Sequence, residues 1–406
     1  MLTAITGGYV VPVDGDPIPG GTVLLRDGRI AAVGPTGEVE VPADADIVDA
    51  TGKWVLPGFV EAHGHVGVLE EGEGWAGDDT NEMTDPNGAR LRALDAINPA
   101  DVGFVDALSG GVTSVVVKPG SGNPIGGRTV AVKCWGRTVD EMLIREASVK
   151  SALGENPKRV YGNKDKTPST RLGVTAIIRD ALTKAQDYRA KRAEAASEGR
   201  PFDRDQTMET RVQVLDGELP WCQHSHRADD IATAIRLSEE FGYRLILNHG
   251  TEAHLLADLI AGKAIPVISG PLIVGRLKVE VRGRTFRNPG ILDRAGVKVA
   301  LTTDHPVVPI NFLVHQATFA VKDGMDRDAA LRSITRNPAE IMGLGDRVGV
   351  LRPGLDADVV VWSGDPLDVM SRALRVFVNG REVYHYDEER GEGVVVDPFY
   401  SEPIGG

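Results

Sequence analysis

Residues 56–65 read Leu56-Pro57-Gly58-Phe59-Val60-Glu61-Ala62-His63-Gly64-His65. Side chains alternate across a β-strand, so histidines two positions apart share a face and can reach one metal ion. A bare His-x-His is more often two ordinary histidines, and it is the context that changes the weighting. Pro57-Gly58 is a turn signal, and Phe59-Val60 behind it reads as a short buried strand with the histidines at its carboxyl end. Parallel α/β barrels carry their active sites at that end.

The 406 residues are 42% hydrophobic and 25% charged, enough for a large core and a division into two domains. Apolar runs such as Val112 to Val117 are too short to span a bilayer, and Met1-Leu2-Thr3-Ala4 has no basic segment with an apolar core behind it. No membrane association is expected, and a cytoplasmic protein is. Cys134 and Cys222 are the only cysteines and give no disulfide framework. A formal charge of −13, from 45 basic and 58 acidic residues, disfavours nucleic acid as a partner.

Working outward, residues 1–54 hold short alternating or apolar runs divided by Asp27-Gly28, Gly34-Pro35 and Pro42. The pattern returns at 348–406, with Asn379-Gly380 as a hairpin signal. Both ends are therefore read as one small β-sandwich. Between them, at 55–347, strands alternate with helices, which implies an α/β fold of the (β/α)8 TIM-like barrel type. A polar loop, 67–86, is long enough to cover a site. The Gly-rich stretch 118–127 lacks phosphate-loop spacing and reads as a tight connection. Residues 156–219 exceed what one crossover needs; 175–196 reads as a helix and 191–205 as a polar, mobile run.

The strand-end histidine recurs. Trp221-Cys222-Gln223-His224-Ser225-His226-Arg227 puts Cys222, His224 and His226 on one face; His224 is assigned to metal, and His226 with Arg227 to substrate. Leu245-Ile246-Leu247-Asn248-His249 ends the same way. Thr302-Thr303-Asp304-His305-Pro306 ends a fourth strand with an aspartate, which can ligate a metal and accept a proton from its water. His305 beside it is a candidate for substrate contact, and His254 is assigned a structural role. The stretch 148–157 reads as a strand ending in Glu155-Asn156-Pro157 and offers two bridging carboxylates: Glu155 directly, or Lys150 if carbamylated by carbon dioxide.

His63, His65, a mid-chain Lys or Glu, His224, His249 and Asp304, in that order on successive strand ends, resemble the amidohydrolase superfamily of metal-dependent barrel hydrolases. Asn248-His249-Gly250-Thr251, Thr335-Arg336-Asn337-Pro338-Ala339-Glu340 and Leu351-Arg352-Pro353-Gly354-Leu355-Asp356-Ala357-Asp358 extend the likeness over nearly the whole chain. Within the superfamily the chain looks most like imidazolonepropionase-related proteins and Xaa-Pro dipeptidases. The resemblance implies His63, His65 and Asp304 on a buried metal. It implies His224 and His249 on a second, bridged by carbamylated Lys150 or by Glu155, with Lys150 favoured because that branch uses it. A divalent metal is expected, zinc by preference, at one or two per chain.

The implied reaction is hydrolysis of a C–N bond, in an amide or cyclic amide of a small molecule such as a dipeptide. Metal-bound hydroxide is the nucleophile, and Asp304 is the general base and acid. Arg227 would pair with a substrate carboxylate, and Tyr161 would stand at the mouth. A one-metal deaminase or an imidazolonepropionase-like ring-opening hydrolase is the alternative. A non-catalytic protein on this scaffold is disfavoured because a candidate exists for every ligand. A homo-oligomer is expected from the resemblance alone.

Overall fold

The structure, a computed structural model, describes residues 1–276 and 278–399. Two sheets organise it. The first draws β1 (Leu2–Val10), β2 (Ile18–Arg26), β3 (Arg29–Pro35), β4 (Asp46–Asp49) and β5 (Trp54–Pro57) from the N-terminal stretch. The second holds β6 (Phe59–Gly64), β7 (Val112–Val117), β8 (Ile125–Lys133), β9 (Leu143–Ala152), β10 (Trp221–Ser225), β11 (Leu245–His249), β12 (Val267–Ser269) and β13 (Val299–Leu301). The chain then returns to the first sheet through β14 (Val359–Trp362), β15 (Ala373–Val378), β16 (Arg381–Asp387) and β17 (Glu392–Val395).

The ends meet where β5 lies antiparallel to β14, with Val55 opposite Val361. The result is one nine-stranded sheet in the order β17-β16-β15-β14-β5-β1-β2-β3, with β4 on β1. The two ends thus share a single sheet, and its pairing does not establish the two facing layers of a sandwich. Residues 400–406, assigned to this unit from the sequence, lie outside the described residues. Asn379 and Gly380 connect β15 to β16, both at positive φ (49° and 76°), which is what a two-residue hairpin turn demands. Asp356 ties this sheet to the barrel: its carboxylate meets Arg29 at 2.5 Å, Lys133 at 2.9 Å and Arg347 at 2.9 Å.

The second sheet runs β13-β12-β11-β10-β9-β8-β7-β6 and nearly closes into a barrel. Ser333 and Ile334 bridge the gap: Leu301 N–H donates to the Ser333 carbonyl and Val60 N–H to that of Ile334. The interior is filled by Val60, Ala62, Val116, Ala131, Cys222, Ile246, Ile268 and Ala300. One strand corrects the expected all-parallel barrel. β8 runs antiparallel to both β7 and β9, because residues 118–124 are too few for the crossover that a parallel neighbour requires.

Outside the barrel, Arg171–Ser197 forms one 27-residue helix capped by the Thr170 hydroxyl and buried along Val174, Ile178, Ala181, Leu182 and Ala185. It contains the helix expected over 175–196 and ends at Ser197, inside the polar run 191–205. No helix among the described residues is long and apolar enough to cross a membrane.

Candidate metal centre

The barrel strands deliver their terminal side chains to one rim. His63 and His65 follow from β6, His224 and His226 from β10, His249 from β11 and Asp304 from just beyond β13. Their ring centroids crowd together: His63 and His249 are 5.0 Å apart, His224 and His249 4.5 Å, His226 and His249 4.8 Å. Two overlapping groups have ligand atoms mutually within 4.8 Å, one of His224, His226 and His249 and one of His63, His249 and Asp304. His249 and Asp304 reach the rim from left-handed backbone, at φ 71° and 55°. Such conformations are uncommon outside glycine and cluster at functional sites.

Neighbouring groups fix the rings through their Nδ1 atoms. His65 Nδ1 bonds the Lys118 carbonyl at 2.8 Å and His249 Nδ1 the Gly270 carbonyl at 2.8 Å. His224 Nδ1 meets Ser121 Oγ at 2.9 Å, and His226 Nδ1 meets Thr251 Oγ1 at 2.8 Å. Such outer partners orient metal-binding histidines through the nitrogen that does not bind. The inward nitrogens have less to bond. His224 Nε2 is buried without a hydrogen-bond partner, and so is His63 Nε2, although Asp304 Oδ1 lies 2.7 Å away. Converging lone pairs with no donor between them are what a cation would satisfy, so the residues fit a divalent metal.

Electrostatics agree. Burial drives the pKa values of His63, His224 and His226 well below the usual histidine range and that of His249 to about 4. All four imidazoles are thus neutral at neutral pH, the form in which a histidine can hold a metal. Burial alone would raise Asp304, but His249 and His63 beside it carry its carboxyl well below the ordinary value. Lys150, buried on β9, is pushed down to about 7, mainly by desolvation, and its Nζ donates to the Pro119 carbonyl at 3.1 Å and Ser121 Oγ at 2.8 Å.

A cavity of about 390 Å³ opens onto this rim. His65, His224, His226 and Asp304 form its floor, Leu69, Pro271, Val274, Val281 and Val307 its apolar wall, and Arg159, Lys278 and Arg284 supply cations.

Four residues expected here are elsewhere. Glu155 does not end a strand; it opens the helix Glu155–Gly162, its N–H donating to Glu280 Oε1 at 2.5 Å. Gly154 makes that switch possible, at φ +85° and with Glu280 Oε1 2.3 Å from where a Cβ would sit. His305 turns away, its Nδ1 accepting from Ile310 N–H at 3.2 Å. The Tyr161 hydroxyl is buried on Asn123 Oδ1 at 2.6 Å. Arg227 is paired with Asp229 at 2.8 Å and does not line the cavity.

Sequence reasoning missed other residues. Glu61, on the same face as His63, is fully buried and accepts the N–H groups of His63 on its own strand and of Thr303 just beyond β13. Lys118, directly after β7, is buried with its Nζ 3.1 Å from Cys222 Sγ and 3.3 Å from Asn248 Oδ1. Lys278, Arg159 and Arg284 carried no periodic signal.

Comparison with known proteins places this geometry. A family profile described as the amidohydrolase family matches residues 200–384. The chain is similar to the crystal structure of an amidohydrolase from Thermotoga maritima MSB8, with 45% identity and a TM-score of 0.91 over 94% of this chain and 100% of that one. The chain belongs to the amidohydrolase family. This amidohydrolase is also 30% identical to the amidohydrolase tasK of Hapsidospora irregularis over 90% of its own length, but spans only 42% of that larger protein. It is 25% identical to the imidazolonepropionase of Mesorhizobium japonicum over 92% of both chains, which puts it in the imidazolonepropionase-related branch. It is a hydrolytic enzyme acting on carbon–nitrogen bonds.

Proposed function

We propose that this amidohydrolase cleaves the C–N bond of an amide or cyclic amide in a small molecule that also carries an anionic group. The barrel at 55–347 holds the chemistry, and the protein works in the cytoplasm. The observation that carries the reading is the cavity itself: a histidine and aspartate floor faces an apolar wall and three cations, in a chain whose overall charge is −13.

His63, His65 and Asp304 would hold one divalent metal, zinc by preference, and His224 and His249 would contribute to a second. When bound, the metal supplies Lewis acidity and an acidified water. The chain's own residues do the rest. Asp304, kept ionised, accepts a proton at a carboxylate oxygen and returns it to the leaving nitrogen. The Lys278 ammonium, 3.0 Å from Asn156 Oδ1, anchors the anionic end of the substrate. Leu69, Val274, Val281 and Val307 exclude water around the amide and favour substrates with apolar bulk.

A one-metal deaminase or ring-opening hydrolase is the second reading, favoured by the presence of His249 in both ligand groups. The test is a substrate panel of dipeptides, N-acyl amino acids and cyclic amides, each with and without a carboxylate, together with metal content per chain. Faster turnover of the carboxylate-bearing amides supports the proposal. Ammonia release from heterocycles with one metal per chain favours the second reading.

A further inference from the structure

We infer that the anionic group of the substrate is a carboxylate, held by a clamp of three donors from Lys278, Arg159 and Asn156. The inference rests on the hydrolase reading above and narrows its substrates to amides that bear a free carboxylate.

The three cations of the cavity wall are not equivalent. Arg284 is engaged with its own surroundings: its Nη1 donates to the Leu272 carbonyl at 2.5 Å, and its guanidinium carbon lies 5.2 Å from the centre of the Phe286 ring. Arg159 lines the cavity, and its guanidinium meets no carboxylate among the described residues. Asn156 stands three positions before it in the helix Glu155–Gly162, a spacing that puts both on one helix face, and it lines the same cavity. The Asn156 Oδ1 is taken up by Lys278 Nζ at 3.0 Å, so what Asn156 has left to offer is its NH2. Lys and Arg side chains carry no acceptor at all. The patch therefore presents donors alone, and a group with two or more acceptor oxygens is what completes it.

The two arms of the clamp are far apart in sequence, and Glu280 ties them together. Its Oε1 accepts the Glu155 N–H at 2.5 Å and Arg171 Nη2 at 3.1 Å. Its Oε2 is buried without a hydrogen bond, 3.6 Å from Lys278 Nζ. Glu155 opens the helix that carries Asn156 and Arg159, and Glu280 sits two residues beyond Lys278, so one carboxylate fixes both arms. Glu280 does not itself line the cavity, and an anion entering there meets the donors rather than this acid. Glu280, Asp304 and Glu155 all act on Lys278 electrostatically. The surplus positive charge is thereby small, which suits the single charge of a carboxylate better than the nearly double charge of a phosphate.

The test compares three probes on the full zinc-loaded chain: N-acetyl-L-leucine, N-(3-methylbutyl)acetamide, which lacks its carboxylate, and the analogue with a phosphonate in the carboxylate's place. Turnover gives kcat and KM, and calorimetry gives binding. Arg159→Met is expected to raise KM for N-acetyl-L-leucine about tenfold with kcat little changed, to leave the neutral amide unaffected, and to be partly rescued by Arg159→Lys. The double variant with Lys278→Met should lose less than the product of the two single losses, because both side chains hold one group. The inference is overturned if Arg159→Met affects both amides equally or neither, if the two losses multiply independently, or if the native chain binds the phosphonate more tightly than the carboxylate. Those outcomes leave the hydrolase reading standing, whereas failure to cleave any amide removes that reading. In that case calorimetric binding of N-acetyl-L-leucine to the native chain and to Arg159→Met decides the clamp, and no binding to the native chain overturns it. Arg159 is exposed, so its variants are expected to fold, and circular dichroism checks that they do.

Discussion

Glu61 Oε2 accepts both the amide N–H of Thr303, at 2.8 Å, and its hydroxyl, at 2.7 Å. Its other oxygen accepts the His63 N–H at 3.0 Å. One buried carboxylate thus locks the first barrel strand to the segment that presents Asp304, setting the spacing of His63 and Asp304 without a hydrogen bond to either side chain.

Glu61→Ala should therefore loosen the site as well as the barrel. It strands two amides and a hydroxyl in the interior, at about 1–3 kcal/mol for each unsatisfied group. Metal affinity should fall about 10–100-fold, as for other residues that orient ligands. Denaturant unfolding and a competitive zinc titration measure the two effects. Unchanged zinc affinity would show that the tie is only structural.

Asp304→Asn keeps the shape of the side chain but removes the proton acceptor. A loss of about 10²–10⁴ in kcat/KM is expected if it carries the proton. The assay compares this variant with the native enzyme at equal metal content, so that lost ligation is separated from lost acid–base work. Activity within a few-fold of native at equal loading counts against Asp304 as the proton carrier.

Lys278→Met tests the anionic subsite. Removing one charged hydrogen-bonding partner costs about 1.5–3 kcal/mol, roughly 10–100-fold. The loss should fall on KM for carboxylate-bearing amides and spare their neutral analogues. An equal loss for both classes would place the substrate's charge elsewhere.

Asp356 predicts a pH dependence. Burial opposes its ionisation, but hydrogen bonding to Arg347 and the charge of Lys133 prevail, and its pKa lies below the ordinary 3.8. A depressed carboxylate stabilises the fold fully above the unfolded-state value and loses that contribution as pH falls through the folded one. Asp356→Asn should thus destabilise by about 3–5 kcal/mol near neutrality, as expected when one member of a buried pair is removed. The gap from the native protein should narrow below about pH 4. Urea midpoints at pH 7, 5 and 3 read this directly; a constant gap would mean that another group carries it.

Much of the site was legible because strand ends have period two, so His63 and His65, His224 and His226, His249 and Asp304 announced themselves. Glu61 obeyed the same alternation and was overlooked because a carboxylate behind two histidines invites no ligand assignment. Lys118 hid at the border of a strand and a Gly-rich loop. Arg159, Lys278 and Arg284 come from a helix and irregular segments whose folding is decided by distant contacts such as Arg284 on the Leu272 carbonyl. The reversed β8 follows from the short connection at 118–124, a signal that was present in loop length but not in composition. Glu155 was misplaced because Gly154 starts a helix where the pattern suggested continued strand.

The pairing of β5 with β14, and of Arg29 with Asp356 327 positions later, bears on how the chain is made. At about 5–20 residues per second, the ribosome needs tens of seconds to deliver the second half of that sheet. Throughout that time the edge of β5, with Val55 and Leu56 buried in the finished protein, has no strand beside it and is a template for adventitious pairing. Cellular yield of this enzyme should therefore respond to chaperone supply and slower growth more than its equilibrium stability suggests, and a circular permutant that joins the two ends should relieve that dependence.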